Sequence, residues 1–228
     1  MRTLNKELQE RITPQQALEI LREGNRRFVQ NLKVNRNLLE QVNETRDGQW
    51  PFAVVLSCID SRTSAELIFD QGLGDIFSIR IAGNIISDDI LGSIEFACKI
   101  AGSKFIVVLG HTKCGAIKGA CDNVQLGYLS GLLQKIQPAI EAENSICENR
   151  TSANPQFVEE VARINVEKGV KEILNRSQII RELVEQGKVG IGGAMYDVAS
   201  GKVQLYDHTI IINGEAAPVH LFVPGMHY

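Results

Sequence analysis

Residues 52–62 read Phe52-Ala53-Val54-Val55-Leu56-Ser57-Cys58-Ile59-Asp60-Ser61-Arg62, an apolar run that ends in a thiol, a carboxylate and a guanidinium at alternate positions. The run Phe52–Leu56 is too short for a helix and rich in valine, the pattern of a strand buried on both faces. Beyond it, Cys58, Asp60 and Arg62 share one face of an extended backbone. Buried parallel strands present functional groups at their carboxyl ends, where ligands collect in open α/β sheets. The stretch therefore predicts an α/β fold with a metal or thiol site at the end of its first strand. Such a site needs a second half elsewhere in the chain.

Working outward, Thr63–Phe69 forms a short helix and Ile76–Ile81 a second strand. Asp88-Asp89 opens a helix that runs to Ile100, and Phe105–Gly110 is a third buried strand. That strand ends in His111-Thr112-Lys113-Cys114-Gly115, where another helix begins. Strand and helix in alternation predict βαβ units and a Rossmann-like parallel central sheet flanked by helices. Tyr128–Ala142 reads as helix bent or broken by Pro138, and 155–186 as a long helical region with breaks near Gly169 and Asn175. Strands over 189–196 and 203–206, joined by Ala199-Ser200-Gly201-Lys202, form a C-terminal pair read as a hairpin. Upstream, Thr13-Pro14-Gln15-Gln16 combines an N-cap, a first-turn proline and a capping box, and starts an amphipathic helix. The expectation is a single domain over 1–228: an N-terminal helical arm (1–48), an α/β core carrying the site (49–207), and a tail (208–228) whose role is not legible.

The chain has 228 residues, 44% hydrophobic and 22% charged, with a net charge of −3, which offers no reason to expect nucleic acid or an anionic membrane as partner. No apolar run is long enough to span a membrane, and the polar, acid-bearing N-terminus resembles no export or transit signal. Five cysteines (58, 98, 114, 121 and 147) are odd in number and too sparse for a disulfide framework, so reduced thiols in a cytoplasmic protein are expected. There is no Cys-x-x-Cys, which weakens a redox reading.

His111 and Cys114 stand where the third strand runs out, as Cys58 does for the first. A His-x-x-Cys step at a helix start brings its two side chains together. With Cys58 it supplies two thiolates and an imidazole, the ligands of tetrahedral zinc, one ion per chain. Three protein ligands leave a fourth position for water, and Asp60 would fill that position or approach it from behind.

Cys58-x-Asp60-Ser61-Arg62 with His111-x-x-Cys114 resembles the β-class carbonic anhydrases. The resemblance extends through Arg80-Ile81-Ala82-Gly83-Asn84, Gly92-Ser93-Ile94-Glu95-Phe96 and Gly115-Ala116-Ile117-Lys118-Gly119, and covers roughly residues 13–207. It implies reversible hydration of CO2 to bicarbonate and a proton by zinc-bound hydroxide, with Asp60 and Arg62 as the catalytic dyad. In an inactive form Asp60 would leave Arg62 and become the fourth metal ligand. The resemblance also implies substrate contacts from Gln49, Phe77, Phe96 and the backbone at Gly115, with Phe96 reaching in from a partner chain. It implies a homodimer or higher homo-oligomer, a tetramer among the options, with the N-terminal arm wrapped around a neighbour. One branch of the family is gated by bicarbonate held by Trp, Arg and Tyr; here the positions are Val55, Arg80 and Tyr196, and the missing tryptophan favours the ungated branch.

Each residue also has a plainer reading. Cys58 alone reads as a buried thiol, His111 as a satisfied core histidine, Asp60–Arg62 as a surface ion pair, and Phe77 and Phe96 as core. Cys98, Cys121 and Cys147 read as structural. Nothing in the sequence brings His208, His220 or His227 to the metal as a proton shuttle. Two other functions share the motif: hydrolysis of carbonyl sulfide or carbon disulfide on the same zinc, and a non-catalytic family member.

Overall fold

The computed structural model describes residues 3–213 and 215–216. The valine-rich run forms β1 (Ala53–Ser57), buried at every position. It lies between two parallel neighbours, β2 (Ile76–Arg80) and β3 (Phe105–His111), and β4 (Gly190–Tyr196) joins β3, also in parallel. Three short antiparallel strands complete the far side. β5 (Val203–Leu205) and β6 (Ile211–Ile212) pair with β4, and β7 (Glu215–Ala216) pairs with β6. The sheet order is β2-β1-β3-β4-β6-β7, with β5 beside β4. β1, β3 and β4 are buried throughout, whereas β2 alternates because it is an edge strand.

The helices are α1 (Lys6–Arg11), α2 (Pro14–Val29) and α3 (Leu38–Thr45) before the sheet, and α4 (Ala65–Ile68) between β1 and β2. Then come α5 (Asp88–Glu95), continued by a π turn over Phe96–Ile100, and α6 (Gly115–Cys121), α7 (Gly127–Gln134), α8 (Gln137–Ala142), α9 (Pro155–Arg176) and α10 (Gln178–Glu185) between β3 and β4. Alternate strand side chains feed two apolar layers. Val54, Leu56, Ile106, Val108 and Ile191 pack under α5, α6 and α8–α10. Ala53, Val55, Phe105, Val107, Leu109 and Ala194 pack against α2 and α4. Each fully buried Val or Leu is worth about 1.5–3 kcal/mol, so two filled layers hold the strand ends firmly in register.

The long helical region 155–186 differs from expectation at one of its breaks. α9 runs unbroken through Gly169, because the glycine serves packing: a Cβ there would lie 3.2 Å from Val108 Cγ1. The break expected near Asn175 is present, at Ser177, whose hydroxyl caps α10 by accepting the Ile180 N–H. The helix expected over 128–142 is interrupted between Gln134 and Gln137, and Pro138 occupies the first turn of α8, where a missing N–H costs nothing. β4 and β5 form the expected hairpin, and β4 is also a member of the parallel core. As far as Ala216 the tail extends the sheet; His220 and His227 lie outside the described residues.

The capping box of α2 is present, with Thr13 and Gln16 exchanging side-chain and backbone bonds. The N-terminal helical arm is present as α1–α3, and α2 packs on its own chain. Ala17, Leu18 and Leu21 are buried in the chain's own second layer, and Asn25 bonds the carbonyls of Ile68 and Gly201. Around it, Leu8 of α1, Leu32, and Leu38, Leu39 and Val42 of α3 are exposed. No helix among the described residues is long and apolar enough to cross a membrane.

One ion cluster supports the linker 30–37. Asp70, its side chain 4% exposed, accepts from Arg27 at 2.6 Å, from the Val34 N–H at 3.2 Å and from Arg36. Burial pushes its carboxyl up, but the bonds from Arg27 and Arg36 outweigh burial and hold it below the usual range. A depressed folded value means the stabilisation is present above about pH 4, where the unfolded carboxylate is ionised, and fades as pH falls through the folded value. Asp70→Asn leaves two largely buried guanidinium groups without their carboxylate. It should lower the unfolding free energy by about 3–5 kcal/mol in urea denaturation at pH 7, and an unchanged midpoint would refute the cluster's role.

Candidate metal centre

β1 and β3 are adjacent and parallel, with Ser57 opposite Leu109, so the residues that follow them emerge side by side. Cys58 leaves β1 as a buried side chain, 3% exposed. The loop after it is tightly tied. Thr63 donates through its hydroxyl to the carbonyls of Cys58 and Asp60 at 2.9 and 2.8 Å. Arg80, at the end of β2, donates to the same two carbonyls at 3.1 and 2.7 Å. From β3, His111 is the last strand residue and Cys114 the N-cap of α6, both 1% exposed. The turn between them places Lys113 at φ +57°, and its N–H donates to Glu159 of α9 at 2.9 Å.

Cys58, His111 and Cys114 bring their ligand atoms within 4.8 Å of one another, the two sulfurs 4.0 Å apart. Two sulfurs on one tetrahedral zinc are separated by about 3.8 Å, so the spacing fits. The imidazole Nδ1 lies 2.9 Å from the Thr112 carbonyl, which fixes the proton there, and Nε2 is buried with no hydrogen-bond partner. A buried lone pair facing two thiols is costly unless a cation occupies the space between them. The sulfurs themselves share a proton: the bond from Cys114 draws the Cys58 thiol far below its usual range, and the same bond, with burial, pushes Cys114 up. A divalent cation would replace that proton and ionise both. On donor chemistry, spacing and the orphaned Nε2, the residues fit a soft or borderline metal such as zinc.

Asp60 stands apart from the cluster. Its carboxylate accepts both arms of the Arg62 guanidinium, at 2.9 and 2.8 Å, and the Arg62 N–H at 3.0 Å. The Arg62 bond holds the Asp60 carboxyl well below the usual range, so it is ionised at neutral pH. Between its two expected partners, the carboxylate in this structure is on Arg62.

The carbonic anhydrase family profile matches residues 53–203. Carbonic anhydrase 2 of Mycobacterium tuberculosis is 35% identical over 201 residues, covering 86% of this chain and 94% of that protein. The β-carbonic anhydrase CafA of Aspergillus fumigatus superposes with a TM-score of 0.65 at 27% identity, over 84% of this chain and 89% of that one. The chain belongs to the β-carbonic anhydrase family. A further similar structure is one of two tetrameric β-carbonic anhydrases from Sordaria macrospora, with TM-score 0.61 and 26% identity over 70% of this chain and 82% of that one.

Within one chain of this β-carbonic anhydrase, not every expected site residue meets the centre. Gln49 is exposed before β1, in a surface depression with Val42, Gly48, Leu73 and Gly74, at the opposite end of the strand from Cys58. Phe77 pairs in register with Val54, four residues before Cys58 and so about 13 Å back along the sheet. It meets Phe96 edge-on, ring centroids 6.2 Å apart, in a shallow depression on the flank of β2, where Phe96 is 52% exposed. Gly115 opens α6 directly after Cys114, and a Cβ there would meet nothing within 4 Å. Arg80 is occupied by two carbonyls, Val55 is buried in the second layer, and Tyr196 lies beside His111 at the end of β4. His208 pairs with Glu167 at 3.0 Å and stacks on Tyr206. Sequence reasoning does not find the loop ties from Thr63, Arg80 and Glu159. Arg80 carried a signal, as a cation ending an edge strand, but its partners are carbonyls, which sequence does not distinguish.

Proposed function

We propose that the chain hydrates CO2 reversibly to bicarbonate and a proton on one zinc ion held by Cys58, His111 and Cys114. The observation that carries this reading is the orphaned Nε2 of His111 facing two buried sulfurs, beside an Asp60 that is ionised and clamped to Arg62. Zinc in such a site lowers the pKa of a water towards neutrality and polarises its surroundings. Asp60, held by Arg62, would accept a hydrogen bond from the nucleophile and orient it towards the carbon of CO2. Arg62 fixes the carboxylate through a two-pronged bond that lysine cannot make. The backbone at Gly115, directly after Cys114 at the start of α6, would contact a substrate oxygen.

Gln49, Phe77 and Phe96 reach a centre only if a second chain supplies them. Assembly into a homodimer or larger form is supported by exposed Phe96 and Ile100 beyond α5 and by exposed Leu38, Leu39 and Val42 on α3. Arg80 is already bonded to two carbonyls and Val55 replaces the tryptophan, which supports the ungated branch. A cytoplasmic setting accords with five free cysteines.

The test is one preparation measured three ways. Zinc should be stoichiometric with chains, light scattering should give a dimer or larger, and CO2 hydration should rise with pH through an inflection not far below neutrality, because two thiolates neutralise the metal charge. Bicarbonate should inhibit without cooperativity. Absence of CO2 hydration with release of sulfide from carbonyl sulfide or carbon disulfide would replace the reaction while keeping the centre; no turnover of either substrate by zinc-loaded protein would leave a non-catalytic member.

A further inference from the structure

α9 carries a polar residue where its sheet-facing side is otherwise apolar. Asn165 lies among the buried Val161, Ala162, Val166 and Gly169 and is itself 8% exposed. Its Nδ2 donates to the carbonyl of Gly83 at 2.9 Å, a bond spanning 82 residues of sequence. Gly83 in turn donates its own N–H to Cys58 Sγ at 3.4 Å, an ordinary length for a bond to sulfur.

The turn that carries Gly83 has little slack. Gly83 sits at φ +68°, in the left-handed region, and a Cβ there would lie 2.8 Å from Ile136 Cδ1 and 3.3 Å from Ala116 Cβ. The Asn84 N–H closes the turn on the Ile81 carbonyl at 2.9 Å, and the Ile81 N–H donates to the Ser57 carbonyl at 3.0 Å, which ties the turn to the end of β1. Asn165 holds the outgoing peptide of Gly83 while the bonds at Ile81 and Asn84 hold the turn on either side, and together they restrict the incoming N–H. An asparagine serving merely to join α9 to a loop could bond any carbonyl. This one bonds the residue whose N–H lies on a ligand sulfur.

We propose that Asn165 is a positioning residue for the metal centre: it holds Gly83 so that the Gly83 N–H stays on Cys58 Sγ and limits how much charge that thiolate gives to the bound metal. The inference rests on the zinc reading above. Two thiolates neutralise a dication almost completely, and a donor on one of them leaves the metal a stronger Lewis acid. Hydrogen bonds to sulfur tune thiolate-bound metals in this way elsewhere.

The test uses 15N-labelled protein loaded with 113Cd, wild type and Asn165→Leu. A scalar coupling between the Gly83 amide proton and the cadmium nucleus passes only through an N–H···S–Cd path. Wild type should show it, and the variant should lose it or show less than half. With Co(II), the sulfur-to-metal charge-transfer band should move to longer wavelength in the variant. Cadmium-loaded wild type without the coupling overturns the hydrogen bond. A coupling and band unchanged in Asn165→Leu overturn the role of Asn165. If that variant does not fold, Asn165→Asp, of equal size and lacking the amide donor, is read against the same two outcomes. Wild type that binds neither cadmium nor cobalt overturns the zinc reading and the inference with it.

Discussion

Cys58→Ser should leave the protein folded and nearly free of zinc, with kcat/KM for CO2 hydration reduced on the order of 10³-fold. Serine keeps the size of the side chain but not its chemistry: its hydroxyl ionises far above neutrality and is a hard donor, while the site is matched to a thiolate. The loss follows from what the metal supplies, several kcal/mol of stabilisation at the reacting oxygen, each 1.36 kcal/mol being about a factor of ten in rate. The fold should survive because Cys58 is one member of a large apolar layer that continues through Val54, Leu56, Ile106 and Val108. Metal analysis and circular dichroism on the same sample separate the two effects. Full zinc occupancy and an unchanged rate in Cys58→Ser would remove this cysteine from the centre.

The second large effect is expected at Asp60. Asp60→Asn keeps shape but presents a neutral amide where a carboxylate accepts hydrogen bonds from Arg62 and, in the proposed mechanism, orients the nucleophile. Its kcat/KM should fall about 10²–10⁴-fold while zinc stays stoichiometric. Arg62→Lys should fall less, about 10-fold, since the charge remains and the two-pronged geometry is lost. Neither change should move the thermal midpoint much, because the Arg62 side chain is 48% exposed and exposed ion pairs add little to stability. The rate is what separates a catalytic dyad from a surface salt bridge: loss of a salt bridge alone would spare the rate. Asp60 should also contribute no limb to the pH–rate profile above pH 5, since the Arg62 bond keeps its carboxyl ionised there. A wild-type rate in Asp60→Asn would end the proposed role.

Helix and strand positions were legible wherever the hydrophobic period was uninterrupted. β1 and β3 are legible as valine-rich runs ending in candidate metal ligands, and α2 by its capping box. Gly169 misled as a break because a glycine in a helix lowers propensity by about 1 kcal/mol, a smaller term than the close packing on Val108 that it permits. β6 was missed because two residues paired to β4 carry no period at all.

By itself the sequence determined the chemistry of the centre. Two thiols, an imidazole and an Asp–Arg step at two strand ends are local patterns, and strand periodicity is enough to bring neighbouring strand ends together. Only the tertiary structure decided how those groups are held. Asp60 is on Arg62 rather than in the cluster, Thr63 and Arg80 grip the loop between them, and Asn165 reaches across 82 residues to Gly83. The separation has a physical cause. A ligand is recognised by what its side chain is, whereas these supports bond backbone carbonyls, which every residue possesses and no sequence pattern distinguishes.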